Sequence, residues 1–565
     1  MDKKYEALFT PWKIGNVEIK NRIVMCPMGG TSLFGWMEPN HFDKVAAEFF
    51  MERAKNDVGL IIPGIAPLRD TIGGRWLYQN TRMFRQLKDY MAEFHKTGAK
   101  LFVQLTAGFG RSFAITDHLS ILLRNKALGT IAKPIVDASF ICASPSPLPS
   151  RWAEDVMCRA ITREEIQKLV DAFARTAKLC REAGVDGVEV HAVHEGYLMD
   201  QFTLPYTNFR TDEYGGSFEN RYRFAVDTVK AIKAACGDDF PVSLRYSVLS
   251  KTKGLCQGAV PGEEYVEVGR DMAESEKAAR YLQDAGYDML NADNGTYDAW
   301  YWAHPPQYMP QNCNLEDVAH IRKFVDIPVV CAGRMTPEAA AQAIGGDQID
   351  AMGVARQFLV DGQWVRKLRE GRMEDIQPCI CCHNACFPLA HYKGVANDET
   401  FEDASHMARC ALNPATMQGH KFDILPAKRK KTVAVIGGGL SGCEIAFDLF
   451  RQGKKPVIVE AKNDLMAARG LCLANSSFLR DFFAYKKVPV HLESTVAEIR
   501  TDTVAVRDKA GKLQVIPADS VILSVGYTPA PAIPAGKHVH VIGDACKVGN
   551  LRTVVWQAWE IAQKL

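Results

Sequence analysis

The chain has 565 residues and a mass of 62.7 kDa, which suits two or three domains if one is an α/β barrel of about 250 residues. Hydrophobic residues make up 47% and charged residues 24%, a globular usage that excludes a disordered chain. The net charge of +2 provides no basic excess for nucleic acid and no acidic tail. No apolar run reaches the roughly 18 residues of a membrane helix. The opening Met1-Asp2-Lys3-Lys4-Tyr5-Glu6 lacks the apolar core of a signal peptide. We therefore expect a cytoplasmic protein with no membrane or nucleic-acid partner, a homo-oligomer being left open. In that compartment the 16 cysteines argue for metal or redox chemistry over disulfides.

Eight short β-branched runs occupy residues 23–28, 59–63, 100–105, 187–191, 241–245, 289–293, 328–332 and 351–354. Their apolar residues are near-continuous, as in parallel strands buried on both faces. Helical patterns fill the gaps. In residues 163–183, Ile166, Leu169, Val170, Phe173, Ala177 and Cys180 share one face. Thr162 with Glu165 spells a capping box, and Gly184 is the stop. We read an α/β chain whose residues 1–372 form a (β/α)₈ TIM barrel with inserted loops, so the chemistry belongs at the C-terminal ends of the strands. One such end, Val190-His191-Ala192-Val193-His194-Glu195-Gly196-Tyr197, offers donors for a developing oxyanion and a proton. The bland alternative is a pair of satisfied core histidines. After the sixth run, Trp300, Tyr301, Trp302, Pro305 and Pro306 form either an aromatic wall for a bulky apolar ligand or loop packing.

The pattern changes after Gly371. Residues 373–430 hold little periodic structure and read as a small cofactor-stapled module with a linker. Cys379, Cys382 and Cys386 give C-x₂-C-x₃-C, and Cys410 supplies a fourth thiolate. Such a set suits a [4Fe–4S] cluster or a zinc ion, with unligated cysteines as the alternative. Cys381 is surplus, and His383 reads as a neighbour. The basic run Lys428–Lys431 reads as a solvated linker.

Residues 431–565 read as a Rossmann-like dinucleotide-binding domain. Gly437, Gly439 and Gly442 form G-x-G-x-x-G between a strand at 432–436 and a helix. They allow a tight turn, close approach of a pyrophosphate and helix–strand packing. A second strand, 456–459, ends in Glu460, a carboxylate suited to a ribose 2′-hydroxyl, which favours NAD(H) over its 2′-phosphate form. FAD sites share this arrangement.

Taken together, these stretches resemble the old yellow enzyme-like flavin reductases that carry iron–sulfur and pyridine-nucleotide modules, the family of 2,4-dienoyl-CoA reductase and trimethylamine dehydrogenase. The matching residues include Asn21–Met28, Gln104-Leu105, Gly110-Arg111 and Asp212–Arg221, followed by the cysteine cluster and the 437–460 fingerprint. The segments at 191–201 and 291–298 are most similar to gut bacterial enone reductases, including those acting on bile-acid 3-oxo-4-enes.

The resemblance implies FMN at the barrel mouth, with Pro27, Met28 and Gly29 along the ring system, Gln104 at its pyrimidine edge and Arg245 near N1. Gly333, Arg334, Ala355 and Arg356 would hold the phosphate. It implies reduction of an activated C=C bond, with His191 and His194 on the carbonyl and Tyr197 as proton donor. Here Glu195-Gly196 replaces a single family residue, so Tyr197 sits one place along; Tyr197 still reaches if the insertion bulges, and otherwise Tyr297 or Tyr301 would be the substitute acid. In the family NADH reduces FAD, and a cluster passes electrons on to FMN. Asp544, in Val541–Ala545, looks like the closing part of an FAD half whose opening part has no counterpart here. FMN, a [4Fe–4S] cluster and NAD(H) are therefore expected, with FAD in question and a bulky enone as substrate. Reductases of enoyl-CoA, dienoyl-CoA or isoflavones are the runner-up. An electron-transfer flavoprotein with a decayed nucleotide domain is the alternative of another class.

Overall fold

The computed structural model describes residues 2–35, 39–113, 117–386, 408–421, 442–451, 455–467, 471–518, 521, 524, 528–529, 535–536, 540–549 and 551–564. Eight parallel strands close into a barrel: β1 Ile23–Met25, β2 Leu60–Ile61, β3 Lys100–Thr106, β4 Gly187–Val193, β5 Val242–Ser247, β6 Met289–Asp293, β7 Val329–Cys331 and β8 Ala351–Val354. Register runs without a gap from Val24 beside Leu60 round to Met352 beside Ile23. All eight expected runs are barrel strands. β1 and β2 end early because Pro27 and Pro63 follow them, and proline offers the ladder no N–H.

Each strand leads to an outer helix: α1 Lys44–Lys55, α2 Thr81–Phe94, α3 Arg163–Glu182, α4 Phe218–Cys236, α5 Met272–Ala285, α6 Leu315–Ile321, α7 Pro337–Gly345 and α8 Trp364–Glu370. α3 starts at the expected capping box: Thr162 accepts from the Glu165 N–H, and the Glu165 carboxylate accepts from the Thr162 N–H. Its six expected face residues are all buried. No helix among the described residues is long and apolar enough to cross a membrane.

The N-terminal hairpin, Trp12–Ile14 with Val17–Ile19, plugs the barrel floor. Its Trp12, Ile14 and Ile19 pack with Val24, Leu60, Phe102, Met289 and Val330 from inside the barrel. Gly187 makes room for this layer, because a Cβ there would lie 2.6 Å from the Phe102 ring.

Past the barrel, helix Gly442–Arg451, strand Ile458–Val459, helix Leu473–Tyr485 and strand Val490–His491, parallel to the first, form part of an α/β nucleotide fold. A three-stranded antiparallel sheet follows, Thr495–Ile499, Thr503–Arg507 and Leu513–Pro517. The expected strand at 432–436 lies outside the described residues.

Gly187→Ala should lower the stability of the barrel by about 1–3 kcal/mol, because the buried Phe102 ring has no free volume to enter. The shift of the urea denaturation midpoint measures it.

Candidate active site

A belt of polar side chains crosses the barrel interior just above the apolar plug. Glu189, buried in the middle of β4, accepts from Gln104 Nε2 of β3 (2.8 Å), Ser243 Oγ of β5 (2.8 Å) and Asn291 Nδ2 of β6 (3.0 Å). Burial raises its pKa, partly offset by Arg245. Arg245 of β5 donates to the Asn291 side chain (2.9 Å) and to Asp293 at the end of β6 (2.5 Å). Burial pushes the Asp293 carboxyl up to about 6, against the pull of Arg245.

The same Asp293 accepts from His194 Nε2 at 2.8 Å. That bond fixes the proton of a neutral His194 on Nε2, so His194 Nδ1 accepts from His191 Nε2, 3.0 Å away. Burial holds both imidazoles well below their ordinary pKa. His191 Nδ1 is a buried nitrogen with no hydrogen-bond partner among the described residues, an open position for a polar group of a ligand.

The chain leaves β4 through a bulge. Glu195 (φ +60°) and Gly196 (φ +69°) are both left-handed. The Glu195 N–H donates to Ser247 Oγ, its carbonyl accepts from the Tyr297 N–H, and the Gly196 N–H donates to Asp200. Asp200 is itself paired with the buried Arg270. The extra residue is thus absorbed, and the Tyr197 ring packs at 4.1 Å on His191. The Tyr197 hydroxyl lies 3.1 Å from that of Tyr297. Burial raises both phenols well above 10, keeping them protonated.

Of the expected aromatic wall, Trp300 alone faces this centre. It packs edge-on against Tyr297 at 4.1 Å and stacks on His304. Tyr301 and Trp302 turn the other way, into a second core with Phe447, Phe478 and Phe482 of the C-terminal domain. The Tyr301 hydroxyl donates to Asp481, which removes it as a substitute acid. For these two residues the packing reading holds.

Pro27 and Gly29 are half-buried at the end of β1, and Met28 is buried. Gly333 (φ +128°) and Arg334 follow β7, and Ala355 and Arg356 follow β8, the two loops where barrels often hold phosphate. The Arg334 guanidinium donates to the carbonyls of Pro306 and Gln307. Arg356 contacts His383 and lines a small cavity with Cys379, Cys381, Cys382, Cys386 and Cys410. The four expected ligands are thus brought together although 23 residues separate Cys386 from Cys410. Gly437 and Gly439 lie outside the described residues. Gly442 opens its helix, Glu460 follows the first strand of the parallel pair, and Asp544 lies in a short turn of helix, Gly543–Ala545.

Sequence reasoning missed Glu189, Asn291, Asp293 and His304 as members of the site. For Glu189, Asn291 and Asp293 the available signal was a carboxylate or amide inside an apolar strand, a residue type that is buried only with partners; His304, at the end of a helical turn, carried none.

Residues 7–375 match the model of the NADH:flavin oxidoreductase / NADH oxidase family. The chain belongs to this family. As a member it is an oxidoreductase of the flavin- and NADH-dependent kind, and residues 388–547 match the pyridine nucleotide-disulphide oxidoreductase family. A cinnamate reductase of Clostridium sporogenes is 32% identical over 100% of both chains. An NADH oxidase of Thermoanaerobacter brockii is 30% identical, covering 99% of this chain and 77% of that protein. A solved 2-naphthoyl-CoA reductase in complex with 2-naphthoyl-CoA shares the fold, with a TM-score of 0.77 at 21% identity over 99% of this chain and 100% of that one.

The residues present fit a flavin. A guanidinium and an amide stand at the floor of the mouth, and the buried His191 Nδ1 has no hydrogen-bond partner among the described residues. Asp293→Ala should cost about 3–5 kcal/mol of stability, since it strips a buried guanidinium of its counter-charge. Chemical denaturation measures it.

Proposed function

We propose that the protein is an ene reductase that reduces the C=C bond of a conjugated carbonyl compound with electrons from NADH. The observation that carries this is the convergence of His191 Nε2 and His194 Nδ1, 3.0 Å apart, beside a buried phenol. Arg245 and Gln104 are among the residues that would hold a flavin, which when bound would supply the hydride. A substrate carbonyl oxygen would compete with His194 Nδ1 for the His191 Nε2–H hydrogen bond and so draw electron density from the β-carbon. Tyr197 holds the proton for the α-carbon.

Cys379, Cys382, Cys386 and Cys410 would hold a [4Fe–4S] cluster. The four line one small cavity together with Arg356, which supports a single shared centre. Arg356, facing the thiols, complements an anionic one. Glu460 and the 437–442 turn would bind NAD(H). The alignment with the cinnamate reductase spans 688 positions, 123 more than the 565 residues of this chain. A gap of that size fits the missing opening of an FAD half, so we assign FMN and the cluster ahead of FAD.

For substrate, Tyr197, Tyr297 and Trp300 favour a flat apolar body next to the carbonyl, as in an aryl enone or enoate, and the cinnamate reductase relative supports the same class. A steroid or bile-acid 3-oxo-4-ene belongs to the same bond class and has lost Tyr301 and Trp302 as wall residues.

The test is anaerobic. NADH-reduced enzyme mixed with benzylideneacetone, cinnamate or a 3-oxo-4-ene steroid should reoxidise its flavin, and Tyr197→Phe should slow that step by roughly 10²–10⁴-fold. A wild-type enzyme that no such acceptor reoxidises would leave an electron-transfer flavoprotein. Iron and sulfide should both be found in the purified protein, and each of the four Cys→Ser changes should lower them; zinc in their place defeats the relay.

A further inference from the structure

The bulge after β4 brings a carboxyl group to the histidine pair. His191 Nε2 and His194 Nδ1 are 3.0 Å apart, and His194 Nδ1 is 3.7 Å from Glu195 Oε2. One ligand atom from each of the three residues lies within 4.8 Å of the others, and all three residues are buried. Glu195 Oε1 and His191 Nδ1 have no hydrogen-bond partner among the described residues. His304 Nδ1 stands 2.8 Å from Glu195 Oε1 but makes no hydrogen bond with it. The formal charges nearby are already paired, Arg245 with Asp293 and Arg270 with Asp200. An ionised Glu195 is therefore a buried negative charge in excess of these pairs, which is costly until a cation joins it.

We propose that His191, His194 and Glu195 form a binding site for a divalent transition-metal ion of the zinc type, and that this ion and the substrate carbonyl exclude each other. Two imidazoles and one carboxylate are a set that zinc takes when it keeps a fourth position open. Bonds of about 2.0–2.1 Å at tetrahedral angles put ligand atoms about 3.4 Å apart, and the separations of 3.0 and 3.7 Å bracket that spacing. Magnesium and calcium, which take oxygen ligands, are disfavoured by a set in which nitrogen is the majority.

The hydrogen bonds behind the ligands suit the ion. Asp293 accepts from His194 Nε2 at 2.8 Å, which leaves the Nδ1 lone pair on the side of His191 and Glu195. A carboxylate behind a ligating imidazole fixes the ring and raises its basicity. His191 meets the ion through Nε2, so its single proton moves to Nδ1, where the described residues offer no bond that the change would break. The exclusion of substrate rests on the ene-reductase reading, because His191 Nε2 cannot both ligate an ion and donate to a carbonyl. The binding of the ion does not rest on that reading. Glu195 has no part in the reduction as derived above, and its carboxyl group is what turns a histidine pair into a three-ligand site.

Two measurements on the holoenzyme test this. Crystals grown with zinc chloride should show an anomalous difference peak at the zinc edge within bonding distance of His191, His194 and Glu195, and Glu195→Gln should remove that peak while leaving any at thiols. In anaerobic stopped flow, zinc should slow enone-driven flavin reoxidation in competition with the enone, EDTA should restore the rate, and magnesium at the same concentration should have no effect. Glu195→Gln should raise the zinc concentration for half inhibition by about 10²-fold, since even an outer partner of a ligand is worth about 10–100-fold in affinity. The site is overturned if the wild type shows no anomalous peak there or if the peak survives Glu195→Gln. The exclusion of substrate is overturned if zinc leaves reoxidation unchanged or inhibits it without competing with the enone. The wild-type map and the competition experiment stand even if Glu195→Gln fails to fold. If the wild type reduces no enone, the reductase reading falls, while the anomalous map still decides whether the three residues hold an ion.

Discussion

The barrel interior is organised around one buried guanidinium. A charge taken out of water is tolerated only where partners replace its hydration, and among the described residues Arg245 draws its hydrogen bonds from β6, through Asn291 and Asp293. That requirement propagates. Asn291, engaged by Arg245, turns its amide N–H toward Glu189, which in turn binds Gln104 and Ser243. Asp293, engaged by Arg245, presents its other oxygen to His194 and so decides which of its ring nitrogens carries the proton. The floor under a flavin and the tautomer of the carbonyl-binding pair are two consequences of the same ion pair.

The one-residue insertion is the second constraint. A slip of one position along a strand would turn Tyr197 to the opposite face. The chain avoids this by placing two consecutive residues in the left-handed region, which is unfavourable for a non-glycine residue such as Glu195 and persists only when surroundings enforce it. Here they do: Ser247, Tyr297 and the Asp200–Arg270 pair each take a backbone or side-chain bond at the bulge. The insertion thereby keeps the tyrosine at the histidines and adds a carboxyl group inside the site.

The fold was legible because its signal is local. Near-continuous apolar runs ending at proline, and a Thr162–Glu165 capping box, are properties of a few adjacent residues. The cysteine ligands were legible by spacing. What the sequence concealed is set by direction. Arg334 and Arg356 follow adjacent barrel strands, yet one guanidinium meets loop carbonyls and the other His383 and the thiol cavity. Likewise Glu189 and Asn291 show their purpose only when four strands are side by side. Periodicity reports which face is apolar, not which polar atoms meet across a barrel.

The loop after β6 joins these levels. In the single turn Trp300–Ala303, Trp300 packs on Tyr297 at the site, while Tyr301 and Trp302 enter the core shared with helices Gly442–Arg451 and Leu473–Tyr485. Neighbouring residues of one helical turn project about 100° apart, so a turn this short can serve two cores only by being held from both sides. His304, which ends that turn, carries the contact with Glu195. The seating of the C-terminal domain on the barrel therefore fixes Trp300 at the site and the His304–Glu195 contact together. A change at Phe478 or Asp481, remote from the flavin mouth, acts on the chemistry through this turn.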